Sequence, residues 1–281
     1  MEPSKMIDLI TDVTYTERPL PFSIYSAKDE QVMKNVPIVN PLLIVVLGGQ
    51  KSLGSVSEHL CASGQFVFLS DNPNVHMRNL PNPSHYFALV IEFERQDFTE
   101  LSHVTNSQNT DSYYIGDVSH ELNESLYQFI EFARWAPKEL WSLRRKELLH
   151  VLSLAGHSDI LGMVSNHKVS QKLHHIISLQ PEKDLSLDTL CDELAMSEST
   201  LRRRLKSEGT SVQEIKDQVK LGLGLHLLQT THLPISIISE RCGYLSQSRF
   251  SNRFKTRFGL TPSDLRKTKL ADLSESLTAS E

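Results

Sequence analysis

Apolar residues between positions 20 and 100 come in short runs. Phe22-Ser-Ile-Tyr25, Leu42-Leu-Ile-Val-Val-Leu47, Gln65-Phe-Val-Phe-Leu69 and Tyr86-Phe-Ala-Leu-Val-Ile-Glu-Phe93 are rich in β-branched and aromatic side chains. Each is too short for a helix and predicts a strand. Gly48-Gly49, Asp71-Asn-Pro73 and Asn79-Leu-Pro-Asn-Pro83 supply turn chemistry between them, so the first hundred residues read as a sandwich or small barrel. Residues 102–117 are polar and read as a surface loop.

The rhythm then turns helical. Leu122, Leu126, Phe129, Ile130 and Ala133 lie on one helical face, stopped near Pro137. Leu143, Leu148, Val151, Leu152 and Ala155 make a second stripe, stopped near Gly156. A third helix is expected from about His167 to Leu179, and Gln180 to Asp184 reads as a linker.

Beyond that linker the pattern repeats. Leu187, Leu190 and Leu194 correspond to Ile235, Ile238 and Cys242. Ser197, Leu201 and Leu205 then correspond to Ser246, Phe250 and Phe254. The single-residue difference in offset falls in a turn, where Ala195-Met196 stands against Gly243-Tyr244-Leu245. Each copy is a short helix, a tight turn, a Ser able to cap a helix N-terminus, and a second helix, which is the helix-turn-helix plan. With the apolar positions inward, the first copy leaves Glu198, Ser199, Arg202, Arg203 and Lys206 outside. The second leaves Gln247, Ser248, Arg249, Ser251, Asn252 and Lys255 outside. Arg, Gln, Asn and Ser reach base edges in a major groove, and Lys meets phosphate. Val212 to Gln229 between the copies forms one helical rod of roughly 27 Å at about 1.5 Å per residue. With its flanking turns, that rod can set two recognition helices about 34 Å apart, one turn of DNA.

Charge agrees once it is divided along the chain. The whole chain carries −5, but residues 181–270 carry a net +4 against −6 for residues 1–180 and −3 for residues 271–281. The basic excess sits where phosphate neutralisation needs it.

The segment Leu185 to Lys267 resembles the C-terminal domain of the AraC/XylS family of bacterial transcription regulators. The matching stretches are Leu187-Asp-Thr-Leu-Cys-Asp-Glu-Leu-Ala-Met-Ser197, Leu201-Arg-Arg-Arg-Leu-Lys206 and Cys242-Gly-Tyr-Leu-Ser-Gln-Ser-Arg-Phe-Ser-Asn-Arg-Phe-Lys255, continuing into Arg257-Phe-Gly-Leu-Thr-Pro-Ser263. The resemblance carries Ser199, Arg202 and Arg203 to a first base-reading surface, and Gln247, Ser248, Arg249, Ser251 and Asn252 to a second. It implies double-stranded DNA and RNA polymerase as partners, and an activator as the most common role. Lys220 stands where the family usually has Arg. Gly222 and Gly224 sit unusually inside the linker helix, either for tight packing or so that this helix can pack on the N-terminal region and relay its state.

The resemblance also implies a fold of the α+β class, a cupin-like β-barrel with helices followed by an all-α domain. Residues 1–165 would form the regulatory and dimerisation domain, 166–184 a helix and linker, 185–270 the DNA-binding domain and 271–281 an acidic flexible tail. Pro41 to Gln50 is similar to the family's early barrel strands. Phe22, Tyr25, Phe66, Phe68, Tyr86, Phe87 and Phe93 are candidates to line a pocket for a small apolar or acidic effector such as a fatty acid, although aromatics at strand spacing also serve as plain core. The Leu122–Ala133 helix is read as a homodimer seam in preference to packing on the barrel, and Arg144-Arg-Lys146 as a solvated patch.

Several function classes find no support. His59, His76 and His85 stand singly and no paired-histidine metal motif occurs, so no metal or cofactor is expected. Gly-rich phosphate loops and nucleophile elbows are missing, which argues against an enzyme. Cys61, Cys191 and Cys242 are scattered and odd in number, and the longest purely apolar run, Leu42 to Leu47, is far short of a membrane span. Together with the lack of a signal-peptide core in Met1–Thr11, this gives the expectation of a cytoplasmic, non-membrane protein. The competing reading is a regulator that acts through protein contacts alone, without a small ligand.

Overall fold

A computed structural model of the chain describes residues 3–14, 18–55, 57–70, 74–99, 101, 113–164 and 168–270. The proposed acidic tail and residues 102–112 lie outside these. Among the described residues a helix, α1 (Pro3–Thr14), precedes nine strands: β1 (Ser23–Ala27), β2 (Gln31–Val36), β3 (Leu42–Gly48), β4 (Gln50–Leu53), β5 (His59–Ala62), β6 (Gln65–Leu69), β7 (Val75–Leu80), β8 (Tyr86–Glu92) and β9 (Tyr113–Asp117). They form two antiparallel sheets, ordered β1-β8-β3-β6-β9 and β2-β7-β4-β5, rather than one closed barrel.

The long apolar runs of β3, β6 and β8 follow from a three-layer arrangement. Successive side chains on a strand face opposite ways. Leu43, Val45, Leu47, Phe66, Phe68, Phe87, Leu89 and Ile91 pack against helices on one side. Ile44, Val46, Val67, Leu69, Tyr86, Ala88 and Val90 belong to a second core with Met33, Leu53 and Met77 of the other sheet. Both faces are covered, so no polar alternation appears.

Four expectations change here. Residues 113–117 of the expected surface loop are an edge strand, with Tyr113 to Asp117 paired to β6. Asn79 and Leu80 belong to β7, so the turn begins only at Pro81. The dimer-seam reading of α2 (His120–Phe132) fails: Leu122, Leu126, Phe129 and Ile130 are essentially unexposed inside the chain's own core, with Met6 and Ile10 of α1. A stripe already consumed by its own sheet has no apolar surface left for a second copy.

The fourth change concerns the basic triplet on α3 (Trp141–Leu152). Arg145 is buried, donating to Asp97 at 2.6 Å and to Glu94 at 2.7 Å. Arg144 lies over the Phe132 ring and pairs with Glu147. Consecutive residues on a helix point about 100° apart, and Arg145 falls on the inward side. Leu143, one of the second stripe, is exposed for the same reason. Gly156, at φ 94°, stops the helical path as expected, and α4 (Asp159–Gly162) follows.

The remaining helices are α5 (Val169–Ser178), α6 (Leu187–Glu193), α7 (Glu198–Ser207), α8 (Val212–Thr230), α9 (Ile235–Arg241), α10 (Gln247–Phe258) and α11 (Pro262–Thr268). The rod α8 belongs to two cores. Ile215 and Val219 pack with Leu173 and Ile177 of α5, Leu190 of α6, and Leu201 and Leu205 of α7. Leu221, Leu225 and Leu228 pack with Ile238, Phe250, Phe254 and Phe258, in the same cluster as the inter-sheet core. Both glycines are at close approaches. A Cβ at Gly222 would lie 3.3 Å from Pro37, and one at Gly224 would lie 2.7 Å from the Phe250 ring.

The β1–β2 connection and β2 hold the second helical unit. The Lys28 amide donates to the Thr268 carbonyl at 2.8 Å and Asn35 Nδ2 to the Arg257 carbonyl at 3.2 Å. These satisfy carbonyls at the C-terminal ends of α11 and α10, which a helix leaves without internal partners.

Where α5 meets α8, His174 donates through Nε2 to Gln218 Oε1 at 2.7 Å, and Gln218 Nε2 in turn donates to Glu214. Burial pulls the His174 imidazole down to about 4, helped by the nearby Arg257 and Arg95 charges and opposed by Gln218 and Glu214. The unfolded chain binds this proton near the ordinary value of about 6.5, so His174 contributes stability above that pH and loses it as pH falls towards 4. The expected result is a steeper fall in the denaturation midpoint between pH 6.5 and 4 for the natural chain than for His174→Gln. Equal slopes would contradict a buried neutral imidazole.

Candidate nucleic-acid interface

Each unit builds its second helix in the same way. Ser197 caps α7 by accepting from the Thr200 amide, and Ser246 caps α10 by accepting from the Arg249 amide. The turns before them pass through left-handed backbone, at Ala195 (φ 50°) in the first unit and Gly243 (φ 70°) in the second. Glycine takes that conformation without the steric cost that Ala195 bears. Gly259, also left-handed, ends α10, and Thr261 with Asp264 forms a capping box that starts α11 with Pro262 in its first turn.

Leu201 and Leu205 are buried under α7, and Phe250, Phe254 and Phe258 under α10. Glu198, Ser199, Arg202, Arg203 and Lys206 are exposed on α7. Gln247, Ser248, Arg249, Asn252 and Lys255 are exposed on α10, with Ser251 half-buried. The arrangement presents two convex helical faces, each with its N-terminus capped and its cations toward solvent. Arg202 Nε donates to Glu198 Oε1 at 2.7 Å, one turn back along α7. Arg253 and Arg257, by contrast, are drawn to Asp217 and Glu214 of α8 and fasten α10 to the rod.

Behind the second unit lies a cavity of about 450 Å³ between the sheets and α8, within the usual size of small-molecule sites. Of the seven candidate aromatics, Phe22 and Tyr25 line it. Phe66, Phe68, Phe87 and Phe93 sit in the core beneath the helices, and Tyr86 in the core between the sheets. Sequence reasoning missed the α8 wall, Gln218, Gly222, Leu223, His226 and Gln229. Tyr25 Oη and His226 Nδ1 are 3.2 Å apart across the cavity wall, and burial holds the His226 imidazole below its ordinary value. Among the described residues no group of three His, Cys, Asp or Glu side chains could hold a metal ion, and no helix is long and apolar enough to cross a membrane.

Comparison with known proteins places these features. Residues 190–268 match a family described as a helix-turn-helix domain. The chain is 35% identical over 131 residues to the urease operon transcriptional activator of Escherichia coli, covering 44% of each protein. It is 30% identical over 154 residues to the transcriptional activator RhaR of E. coli, covering 54% of this chain and 52% of that one. The matched stretch thus spans about half the length of these relatives. Among solved structures, apo ToxT of Vibrio cholerae aligns over 91% of this chain and all of its own, with a TM-score of 0.67 at 14% identity. An unsaturated-fatty-acid-bound ToxT aligns over 90% with a TM-score of 0.63, also at 14% identity. The likeness to ToxT establishes that sheets and helical units together follow one known fold. Residues 190–268 are therefore a helix-turn-helix domain, and this part of the chain is similar to curated transcriptional activators.

Proposed function

We propose that this chain is a sequence-specific DNA-binding transcription regulator, an activator working with RNA polymerase. On this reading α7 and α10 enter successive major grooves on one side of the duplex. The observation that carries it is the pair of Ser-capped helices, each with an apolar face buried and a face of Arg, Lys, Gln, Asn and Ser exposed. The 19 residues of α8 span roughly 28 Å at about 1.5 Å per residue, which suits a separation of one helical turn of DNA. A small, largely apolar ligand in the cavity against α8 controls the arrangement, since a molecule seated there touches both the sheets and the rod. A ligand-bound ToxT of the same fold supports this part.

Salt tests the DNA reading. Five exposed cations, Arg202, Arg203, Lys206, Arg249 and Lys255, face outward from the two helices. If four or five meet the duplex, log K falls against log salt with a slope of about −4, and Lys206→Ala flattens it by about 0.9. The measurement is duplex affinity across a salt series. A flat response would favour a regulator that acts through protein contacts alone.

A further inference from the structure

A row of polar residues crosses the inner face of the four-stranded sheet. Gln31 lies opposite Asn79, Asn79 opposite Lys51, and Lys51 opposite Cys61. Directly opposed residues share a face, and all four are completely unexposed. An ammonium group has three donors and no acceptor, so Lys51 dictates how every amide in the row must point. Its Nζ donates to Asn79 Oδ1 at 2.7 Å, and Asn79 Nδ2 donates to Gln31 Oε1 at 2.8 Å. Gln31 Nε2 donates to Thr268 Oγ1 of α11 at 3.0 Å. Gln229 of α8 joins through its own Nε2, which donates to Gln31 Oε1 at 3.2 Å. Burial draws Lys51 down to about 8, which leaves it mostly charged at neutral pH.

The row therefore ends on a carbonyl. Gln229 is 1% exposed, its Oε1 has no hydrogen-bond partner, and the residue lines the cavity. A buried acceptor without a donor is destabilising, and a ligand donor removes that cost. The cations near the cavity are placed elsewhere. Arg145 is engaged by Asp97 and Glu94, and Lys138 is exposed at the rim.

We infer that the cavity takes a ligand with an apolar body and an uncharged hydrogen-bond-donor head, an alcohol or primary amide, which gives its proton donor to Gln229 Oε1. A carboxylate would set its negative charge against that carbonyl and beside Glu92 and Glu94, while Arg145, the buried cation of the wall, is already held by Asp97 and Glu94. The inference rests on the proposed ligand role of the cavity and replaces the fatty acid that resemblance implies with a neutral donor of similar body. Such a ligand would fasten α8 to β2 and the connection before it, which already hold α10 and α11.

The test uses the full chain at pH 7 and three probes of equal length: decanol, decanamide and decanoate, with binding followed by calorimetry. Decanol and decanamide should bind at least tenfold more tightly than decanoate. Lys51→Met frees the row to reverse its amides, and the preference should shrink toward unity. Decanoate binding as tightly as decanol to the natural chain would overturn the donor assignment while leaving the cavity as a ligand site. No binding by any of the three would overturn the ligand reading with it. A Lys51→Met chain that folds, binds decanol and keeps the full preference would overturn the role given to the row.

Discussion

Alanine in place of Arg202, Arg203 and Arg249 together abolishes duplex binding and leaves the fold unchanged. All three are exposed, Arg202 with 63% of its side chain in solvent, and surface changes of that kind usually stay within about 0.5 kcal/mol of stability. A good bidentate contact to a base is worth about 1–3 kcal/mol of discrimination against a wrong one. The combined loss should therefore reach at least a hundredfold in affinity, tenfold corresponding to about 1.4 kcal/mol. Losing Arg202 has a second effect. Glu198, with which it pairs in the free protein, is left as an unpaired carboxylate at the N-terminal end of α7, where it would repel phosphate in the proposed complex. Band-shift titration at moderate salt, with thermal unfolding as control, reads both quantities. Duplex binding that persists in the triple variant would mean that the faces of α7 and α10 do not carry recognition.

The second large effect concerns stability. Asp97 is wholly buried and accepts from Arg145 Nε at 2.6 Å, from Ser142 Oγ at 2.7 Å and from the Glu94 amide at 2.9 Å. Asp97→Ala removes all three and leaves the Arg145 guanidinium buried with Glu94 as its remaining carboxylate. Breaking such a pair from one side costs about 3–5 kcal/mol. Asp97→Ala combined with Arg145→Met should cost less, because no buried charge is then stranded. Chemical denaturation of the two variants tests this. A loss below about 1 kcal/mol in the single variant would show that water reaches the guanidinium.

The difference in legibility between the two halves has a physical origin. The C-terminal units are made by near neighbours: Ser197 and Ser246 cap three residues ahead, and Leu201/Leu205 and Phe250/Phe254 are one turn apart. Such spacing is visible in the sequence. β3, β6 and β8 were equally visible because both of their faces are covered by apolar layers. The strands that escaped notice are those whose inward positions carry Gln31, Lys51 and Asn79, which break the apolar alternation that marks a strand. α1 has Met6, Ile10 and Val13 buried at helical spacing, a stripe that could have been read. That these faces of α7 and α10 stand exposed was legible from the repeat. The cavity was not, because Tyr25 and His226 are 201 residues apart and no local pattern announces a meeting at that distance.

On the proposed two-groove reading, the division of α8 between two cores makes the two reading heads mechanically unequal. The α9–α10 head shares one continuous interior with the sheets, whereas the α6–α7 head has a small interior of its own, completed by α5. Any change in the angle between the heads would then have to be absorbed within about one turn of helix near Lys220 to Gly222, and the operator spacing tolerated by such a protein would measure how far that turn bends.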